Sequence, residues 1–187
     1  MNTKTKKLST VSMVLCGMFA ALVAIGAFIQ IPVPYMDYFT LQFFFVLLAG
    51  LILGADKGAI SVGCYVLLGL VGVPIFAAGG GIGYIFRPSF GYLVGFIVSA
   101  YVTGKVCEKL KASYKNYLLA CLAGFVVTYA IGIVYKFIIL NFYAHTPATL
   151  GVIFLSCFPL DMPGDFVLCL LVAGVGLRMR KSGFYLS

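Results

Sequence analysis

Charged residues are scarce in this sequence. They make up 10% of its 187 residues, while hydrophobic residues make up 63%. A typical soluble domain has about 25% charged residues. Mean hydropathy is +1.11. Because so few polar side chains cannot cover a globule in water, the composition excludes a soluble domain and indicates an integral membrane protein.

The motifs of several catalytic and metal-binding classes are also missing. The chain has one histidine, His145, and its six cysteines show no C-x-x-C spacing, so neither a metal site nor a disulfide framework is expected. It contains no G-x-x-x-x-G-K-[ST] loop, so it cannot hold the phosphates of ATP by itself. No serine lies in a G-x-S-x-G setting. The sequence therefore predicts no catalytic residue and no metal ligand.

The apolar runs predict an all-α fold of six membrane helices, since a spanning helix needs about 20 apolar residues. Their expected bounds are about 9–30, 39–54, 58–73, 89–110, 117–141 and 151–177. These helices use most of the chain, so we expect a single membrane domain at residues 1–187. The longest interruption, residues 74–88, is predicted to be an outer binding loop.

The net charge of +8 reflects cations at segment ends, which is not a nucleic-acid signal. Basic residues concentrate in cytoplasmic segments of membrane proteins, so we expect both termini to be cytoplasmic and the basic 105–116 connector to be available to anionic lipid or a partner. Eleven of the thirteen cations then lie inside: Lys4, Lys6, Lys7, Lys57, Lys105, Lys109, Lys111, Lys115, Arg178, Arg180 and Lys181. Arg87 and Lys136 fall in the outer half with Asp37, Asp161 and Asp165.

The stretch Gly69–Gly95 combines glycines, aromatic residues and one cation, Arg87. Glycine lets the backbone approach a ligand closely, and arginine matches a carboxylate. The glycines at its centre are Gly79, Gly80, Gly81 and Gly83, and the aromatic residues include Phe76, Tyr84 and Phe90. This pattern is typical of a pocket for a small, partly apolar anion, although a flexible re-entrant turn would also contain such glycines.

Two polar residues elsewhere in the outer half have two interpretations each. Gln42 would bind either a polar ligand or a neighbouring helix. Asp165 follows Pro163-Gly164, and a carboxylate at a helix N-terminus is stabilised by the helix dipole. An ionisable residue at membrane depth is, on the other hand, a functional candidate by default.

Small residues form a stripe on the first helix: Gly17, Ala20, Ala21, Ala24 and Ala27. Such a stripe lets another helix come close, and the spacing by itself favours an internal packing face. The G-x-x-x-G spacing of Gly91 and Gly95 also predicts close helix packing.

Several segments together resemble the BioY family, the biotin-binding S components of energy-coupling factor (ECF) transporters. They are Leu68–Phe76, the glycine cluster, Pro88–Phe96, Pro163-Gly164-Asp165, Thr40-Leu41-Gln42, Leu48-Ala49-Gly50 and Leu53-Gly54. The resemblance covers nearly the whole chain. It implies a six-helix S component in a prokaryotic cell membrane that binds biotin from outside, without a covalently bound cofactor.

The resemblance also implies partners and roles. A transmembrane T component and two ATPase subunits would supply the ATP-driven step. Ala20 and Ala24 match the A-x-x-x-A feature that docks on the T component, so Gly17, Ala20, Ala21 and Ala24 are expected at that interface. Asp165 and Gln42 would serve the ureido ring of biotin. The backbone of Gly79–Gly81, with the aromatic residues Phe76, Tyr84 and Phe90, would surround the rest of the ligand.

Two positions depart from the family pattern. Leu168 stands where members often have a lysine three residues after the aspartate, and Arg87 stands where many have glycine. We therefore hypothesise that Arg87 or Lys136 meets the biotin carboxylate. The alternatives are an S component for a different vitamin and a membrane enzyme that acts on a small lipid head group.

Overall fold

The computed structural model describes residues 9–32, 38–157 and 161–183, which contain seven α-helices. The helices are α1 (Thr10–Phe28), α2 (Gln42–Leu53), α3 (Ala55–Val71), α4 (Phe90–Lys109), α5 (Tyr114–Ile138), α6 (Leu150–Cys157) and α7 (Asp161–Lys181). A 3-10 helix spans Ile82–Phe86, and a π-helix, Ile139–Tyr143, extends α5. Lys4, Lys6, Lys7 and Asp37, which the sequence analysis assigned to sides of the membrane, lie outside the described residues.

Four of the described helices are long and apolar enough to cross a membrane: α1, α4, α5 with its π-helical extension, and α7. Helix α2 is also apolar but has only 12 residues, which corresponds to about 18 Å at 1.5 Å per residue. The predicted class, a mostly helical membrane protein, is confirmed. The first five helices lie within three residues of their predicted bounds.

The connection between α1 and α2 is a small β-hairpin, where the sequence predicted only a turn. Strands β1 (Gln30–Pro32) and β2 (Tyr38–Thr40) pair antiparallel, with Gln30 opposite Thr40. The amide of Leu41 then donates to the carbonyl oxygens of Gly26 and Ile29, each at 3.1 Å. The hairpin therefore holds the start of α2 directly against the end of α1.

Helix α2 forms the centre of the bundle. Nearly all of its residues are buried, and it contacts α1, α3, α4 and α7. At its first turn, the ring of Phe43 stacks on that of Phe96 from α4, with 5.9 Å between centroids. An apolar helix surrounded in this way keeps its position through packing on every side.

The antiparallel pair α4–α5 packs through glycines, as the G-x-x-x-G spacing predicted. A Cβ atom at Gly95 would lie 3.0 Å from the carbonyl oxygen of Thr128, and one at Gly91 would overlap the side chain of Tyr135. On the other helix, Gly132 lies against the ring of Tyr92. These contacts fix the register of the two helices.

The single helix predicted over residues 151–177 is wrong, because the structure has two helices, α6 and α7, in this region. Pro163 lies in the first turn of α7. Proline is tolerated there because the first amides of a helix have no intrahelical acceptor, whereas inside one long helix its ring would clash with the preceding turn. Two prolines and a glycine within residues 158–165 indicate this break in the sequence, but the predicted bounds of 151–177 did not include it.

Candidate functional site

A cavity lies at the end of the bundle where α2, α4 and α7 begin and α5 ends. The cavity has a volume of about 100 Å³. Its walls combine aromatic side chains with a few polar ones. The lining residues are Phe39, Thr40, Gln42, Phe43, Ala77, Ala78, Tyr84, Ser89, Tyr92, Leu93, Phe96, Tyr129, Lys136, Asp161 and Asp165.

Gln42, one of the predicted ligand-binding residues, lines the cavity and is also part of a hydrogen-bond chain. Its Oε1 accepts from the hydroxyl of Thr40 at 3.1 Å, and its Nε2 donates to the hydroxyl of Tyr65 on α3. Tyr65 in turn donates to the carbonyl oxygen of Ile75 at 3.0 Å. Gln42 thus makes the bond to a neighbouring helix that the sequence allowed. The chain fixes its amide at the cavity wall, where a second N–H remains for a ligand.

Asp165 lies in the first two turns of α7 and is 8% exposed. Its Oδ2 accepts a hydrogen bond of 2.8 Å from the hydroxyl of Tyr129 on α5. Asp161 lines the same cavity one helical turn earlier. The helix dipole and the tyrosine both stabilise the carboxylate of Asp165, and its other oxygen is left to accept from a donor in the cavity.

Lys136 is the lysine of the cavity wall, and its side chain is half-buried. Among the described residues, its ammonium has neither a hydrogen bond nor a carboxylate within 4.0 Å. The ion pair among the described residues joins Lys105 and Glu108, at the other end of the bundle. Lys136 follows Tyr129 by seven residues, so the two lie on one face of α5, about 10 Å apart along the axis.

The glycine cluster shapes the loop above the cavity, although Gly79–Gly81 are not among the lining residues. Phe76 and Gly79 exchange backbone hydrogen bonds of 2.9 and 3.1 Å, and Ala77 and Ala78 between them face the cavity. Gly79 and Gly81 have φ of +109° and +102°, which side-chain-bearing residues rarely adopt. A Cβ atom at Gly80 would overlap the carbonyl oxygen of Val73.

Of the three predicted aromatic residues, one lies in the cavity wall and two pack behind it. Tyr84 lines the cavity. Phe76 is buried behind it, with its ring centroid 4.6 Å from that of Tyr84. Phe90 is also buried and packs on Tyr135 at 5.8 Å. Only Tyr84 is therefore placed to touch a molecule in the cavity, while the two phenylalanines support the walls.

Arg87 lies outside the cavity lining and is exposed. Its guanidinium sits 5.2 Å from the centroid of the Tyr84 ring, on which it makes a cation–π contact. Of the two cations hypothesised for a ligand carboxylate, Lys136 alone faces the cavity.

The predicted docking stripe on α1 is split between the surface and the interior. Gly17 and Ala21 are exposed, Ala24 is half-buried against the core, and Ala20 is 7% exposed. A Cβ atom added at Gly17 would have no other atom within 4 Å. The exposed face around Gly17 and Ala21 is otherwise apolar and consists of Val11, Met13, Val14, Met18, Ile25 and Phe28.

Sequence reasoning did not assign most of the wall to the site, including Phe39, Phe43, Ser89, Phe96 and Tyr129. Helical spacing offered one signal. Ser89 precedes α4, and Tyr92, Leu93 and Phe96 follow it at three, four and seven residues, which places all four on one side of the helix. The sequence could not indicate that this side faces a cavity.

The site as a whole has apolar walls, a carboxylate with its tyrosine at depth, and a lysine nearer the end of the bundle. Such a pocket suits a small molecule with an apolar body, a neutral group that can donate hydrogen bonds, and an anionic end.

Comparison with known proteins gives consistent matches over nearly the whole chain. The model of the BioY family matches residues 1–183. "Probable biotin transporter BioY" of Lysinibacillus sphaericus is 40% identical, over 94% of this chain and 90% of the relative. "Biotin transporter BioY" of Thermotoga maritima is 38% identical, over 88% and 93%. The crystal structure of an S-component for biotin from an ECF-type ABC transporter matches with a TM-score of 0.80 at 25% identity, covering 97% of this chain and 95% of its own.

Proposed function

The chain belongs to the BioY family, and we propose that it is the biotin-binding subunit of an ECF transporter in a prokaryotic cell membrane. The observation that supports this most directly is the order of polar groups along the cavity. Asp165 and Tyr129 lie at one level, and Lys136 lies two helical turns nearer the end of the bundle. Biotin has the same order of groups, with a ureido ring at one end and a carboxylate at the end of its valeryl chain.

In this proposal the ureido ring lies at the deep end. Its N–H groups donate to the free oxygen of Asp165, and its carbonyl oxygen accepts from the amide of Gln42. Donors and acceptors that are already held in place by Tyr129 and Tyr65 lose little freedom when the ligand binds. The rings of Phe39, Tyr84 and Phe96 cover the apolar body.

The carboxylate of biotin would lie against Lys136. A half-buried ammonium without a partner among the described residues has lost part of its hydration and gains most from an incoming anion. In this proposal Lys136, on α5, supplies the positive charge that a lysine at the position of Leu168, on α7, would supply in other members of the family. Leu168 itself is buried and apolar, as a packing residue of α7 would be.

We propose an orientation in the membrane from the difference in charge between the two ends of the bundle. The described cations other than Arg87 and Lys136 lie at the end opposite the cavity: Lys57, Lys105, Lys109, Lys111, Lys115, Arg178, Arg180 and Lys181. Basic residues favour the cytoplasmic side. We therefore place the cavity outside and both termini in the cytoplasm.

The transport step would need partners, because the chain has no ATP-binding loop. We propose a transmembrane T component and two ATPase subunits, with the exposed face around Gly17 and Ala21 on α1 as the docking surface. Small exposed residues allow close approach of a partner helix. The protein itself would capture the vitamin without any chemical step.

The test is calorimetric titration of the detergent-purified protein with biotin, with riboflavin and thiamine as control ligands. We expect one-to-one binding of biotin alone. Asp165→Asn should weaken that binding, whereas Asp56→Asn, at an exposed position in the first turn of α3 and at the basic end, should leave it unchanged. Binding of another vitamin in place of biotin would contradict the proposal.

A further inference from the structure

Three of the described helices begin after a serine, and one of these serines does not cap its helix. Ser9 and Ser113 have extended backbones, with ψ of 154° and 156°, and accept from the amides of Ser12 and Asn116. Ser89, before α4, has φ of −73° and ψ of −16° and makes no capping hydrogen bond. A serine at this position normally satisfies one of the free amides. The hydroxyl of Ser89 is therefore directed elsewhere.

Ser89 lines the cavity, and its hydroxyl is unsatisfied. The Oγ atom is buried and has no hydrogen-bond partner among the described residues. A buried polar group without a partner calls for an explanation, and a bound ligand supplies one.

The register of α4 on α5 places Ser89 level with Lys136. Gly91 meets Tyr135, and Tyr92 meets Gly132. Because the helices are antiparallel, continuing this pairing by two or three residues brings Ser89 to the position of Lys136. Tyr129, which holds Asp165, lies two turns deeper.

We infer that Ser89 is a specificity residue for the anionic end of the ligand, and that its hydroxyl donates to the carboxylate beside Lys136. This inference rests on the proposed biotin-binding function and adds a neutral donor to the single cation. Together the two groups offer one donor to each carboxylate oxygen. A neutral ester would gain little from the same pair, so Ser89 and Lys136 would select the free acid.

The experiment measures binding of biotin and of biotin methyl ester to the wild type and to Ser89→Ala. Loss of a hydrogen bond to a charged group should weaken biotin by about 10- to 100-fold. The loss of affinity for the ester should be smaller than the loss for biotin by a factor of at least about five. The matched control is Ser99→Ala, which removes another buried hydroxyl without a partner from α4 outside the cavity. It should bind both ligands as the wild type does.

Ser89→Thr keeps the hydroxyl and should retain the preference for the free acid. Ser89→Cys, which has only a weak donor, should lose it and is a second test if the alanine variant folds poorly. Equal losses of affinity for acid and ester in Ser89→Ala, or no loss for either, would overturn the inference. The proposed function would still stand in that case, provided that the wild-type protein binds biotin. A wild type that binds no biotin would overturn both.

Discussion

Replacing Lys136 with methionine tests the proposed anion contact most sharply, because the change should have two effects of opposite sign. Methionine keeps an unbranched side chain of similar length but removes the charge. Without ligand, a half-buried ammonium lacking a partner is a cost to the fold, so Lys136→Met should leave the free protein equally stable or more stable. With biotin, the variant loses its charge-assisted hydrogen bond.

The size of the binding effect follows from that one contact. A hydrogen bond to a charged group contributes about 1.5–3 kcal/mol, which corresponds to about 10- to 100-fold in affinity. At a biotin concentration of 100 times the wild-type Kd, ligand stabilises the wild type by about 2.7 kcal/mol. For the variant the same concentration would give about 1.4 kcal/mol after a tenfold loss and about 0.4 kcal/mol after a hundredfold loss.

The assay is calorimetry for Kd together with thermal unfolding with and without biotin. Lys109→Met, at the basic end of the bundle, is the matched control and should keep wild-type affinity. Arg87→Ala removes a cation–π contact at an exposed site, worth about 0.5–1 kcal/mol, so we expect at most about a fivefold loss. Wild-type affinity in Lys136→Met, or a larger loss in Arg87→Ala, would refute the assignment of the carboxylate to Lys136.

Three further substitutions test the packing around the cavity. Gly80→Ala should lower stability and biotin affinity, because the new Cβ atom would overlap the carbonyl oxygen of Val73. Gly83→Ala should change neither, because a Cβ atom there would have no other atom within 4 Å, and equal effects of the two substitutions would contradict this account. Tyr129→Phe should lower the free energy of unfolding by about 1.5–3 kcal/mol, measured by denaturant titration in detergent, because it removes the bond to buried Asp165. Thr128→Val should leave Tm unchanged or raise it, since that buried hydroxyl has no partner among the described residues, and a fall in Tm would argue against this.

The sequence was informative about the polar members of the site. Gln42, Lys136 and Asp165 stand out because a polar side chain in an apolar run needs a reason, and all three line the cavity. Their roles as ligands remain predictions. Arg87 satisfied the same criterion but lies outside the lining, since its cation is exposed above Tyr84.

The apolar and hydroxyl members were harder to predict for a physical reason. A phenylalanine in a cavity wall and one in the core have the same composition and helical spacing, so Phe96 could not be told from Phe90. The difference depends on how α4 is rotated against α2 and α5. Ser89 presents the same difficulty, because its sequence position is that of an ordinary helix cap and only its backbone angles show that it does not act as one.

The fold was predictable in class and less so in detail. Apolar runs located the first five helices, and the ends of α2, α3 and α4 are marked in the sequence by Gly54, Gly72 and Lys109. The last run was different. Pro163 is compatible both with a kink inside one helix and with the first turn of a new one, and the structure shows the second.

The shortness of α2 bears on how the membrane potential acts on uptake. In the proposed orientation, with the C-terminal end of α2 at the cytoplasmic boundary, its length of about 18 Å would leave roughly 12 Å of a 30 Å hydrocarbon layer, so the ring-binding end of the cavity would lie below the outer surface. In the proposed pose only the neutral ring reaches that depth, while the negative charge stays near the mouth with Lys136. Carrying one charge through 100 mV requires about 2.3 kcal/mol. Capture would then be almost independent of voltage, and nearly all of that work would fall on the later step driven by ATP hydrolysis.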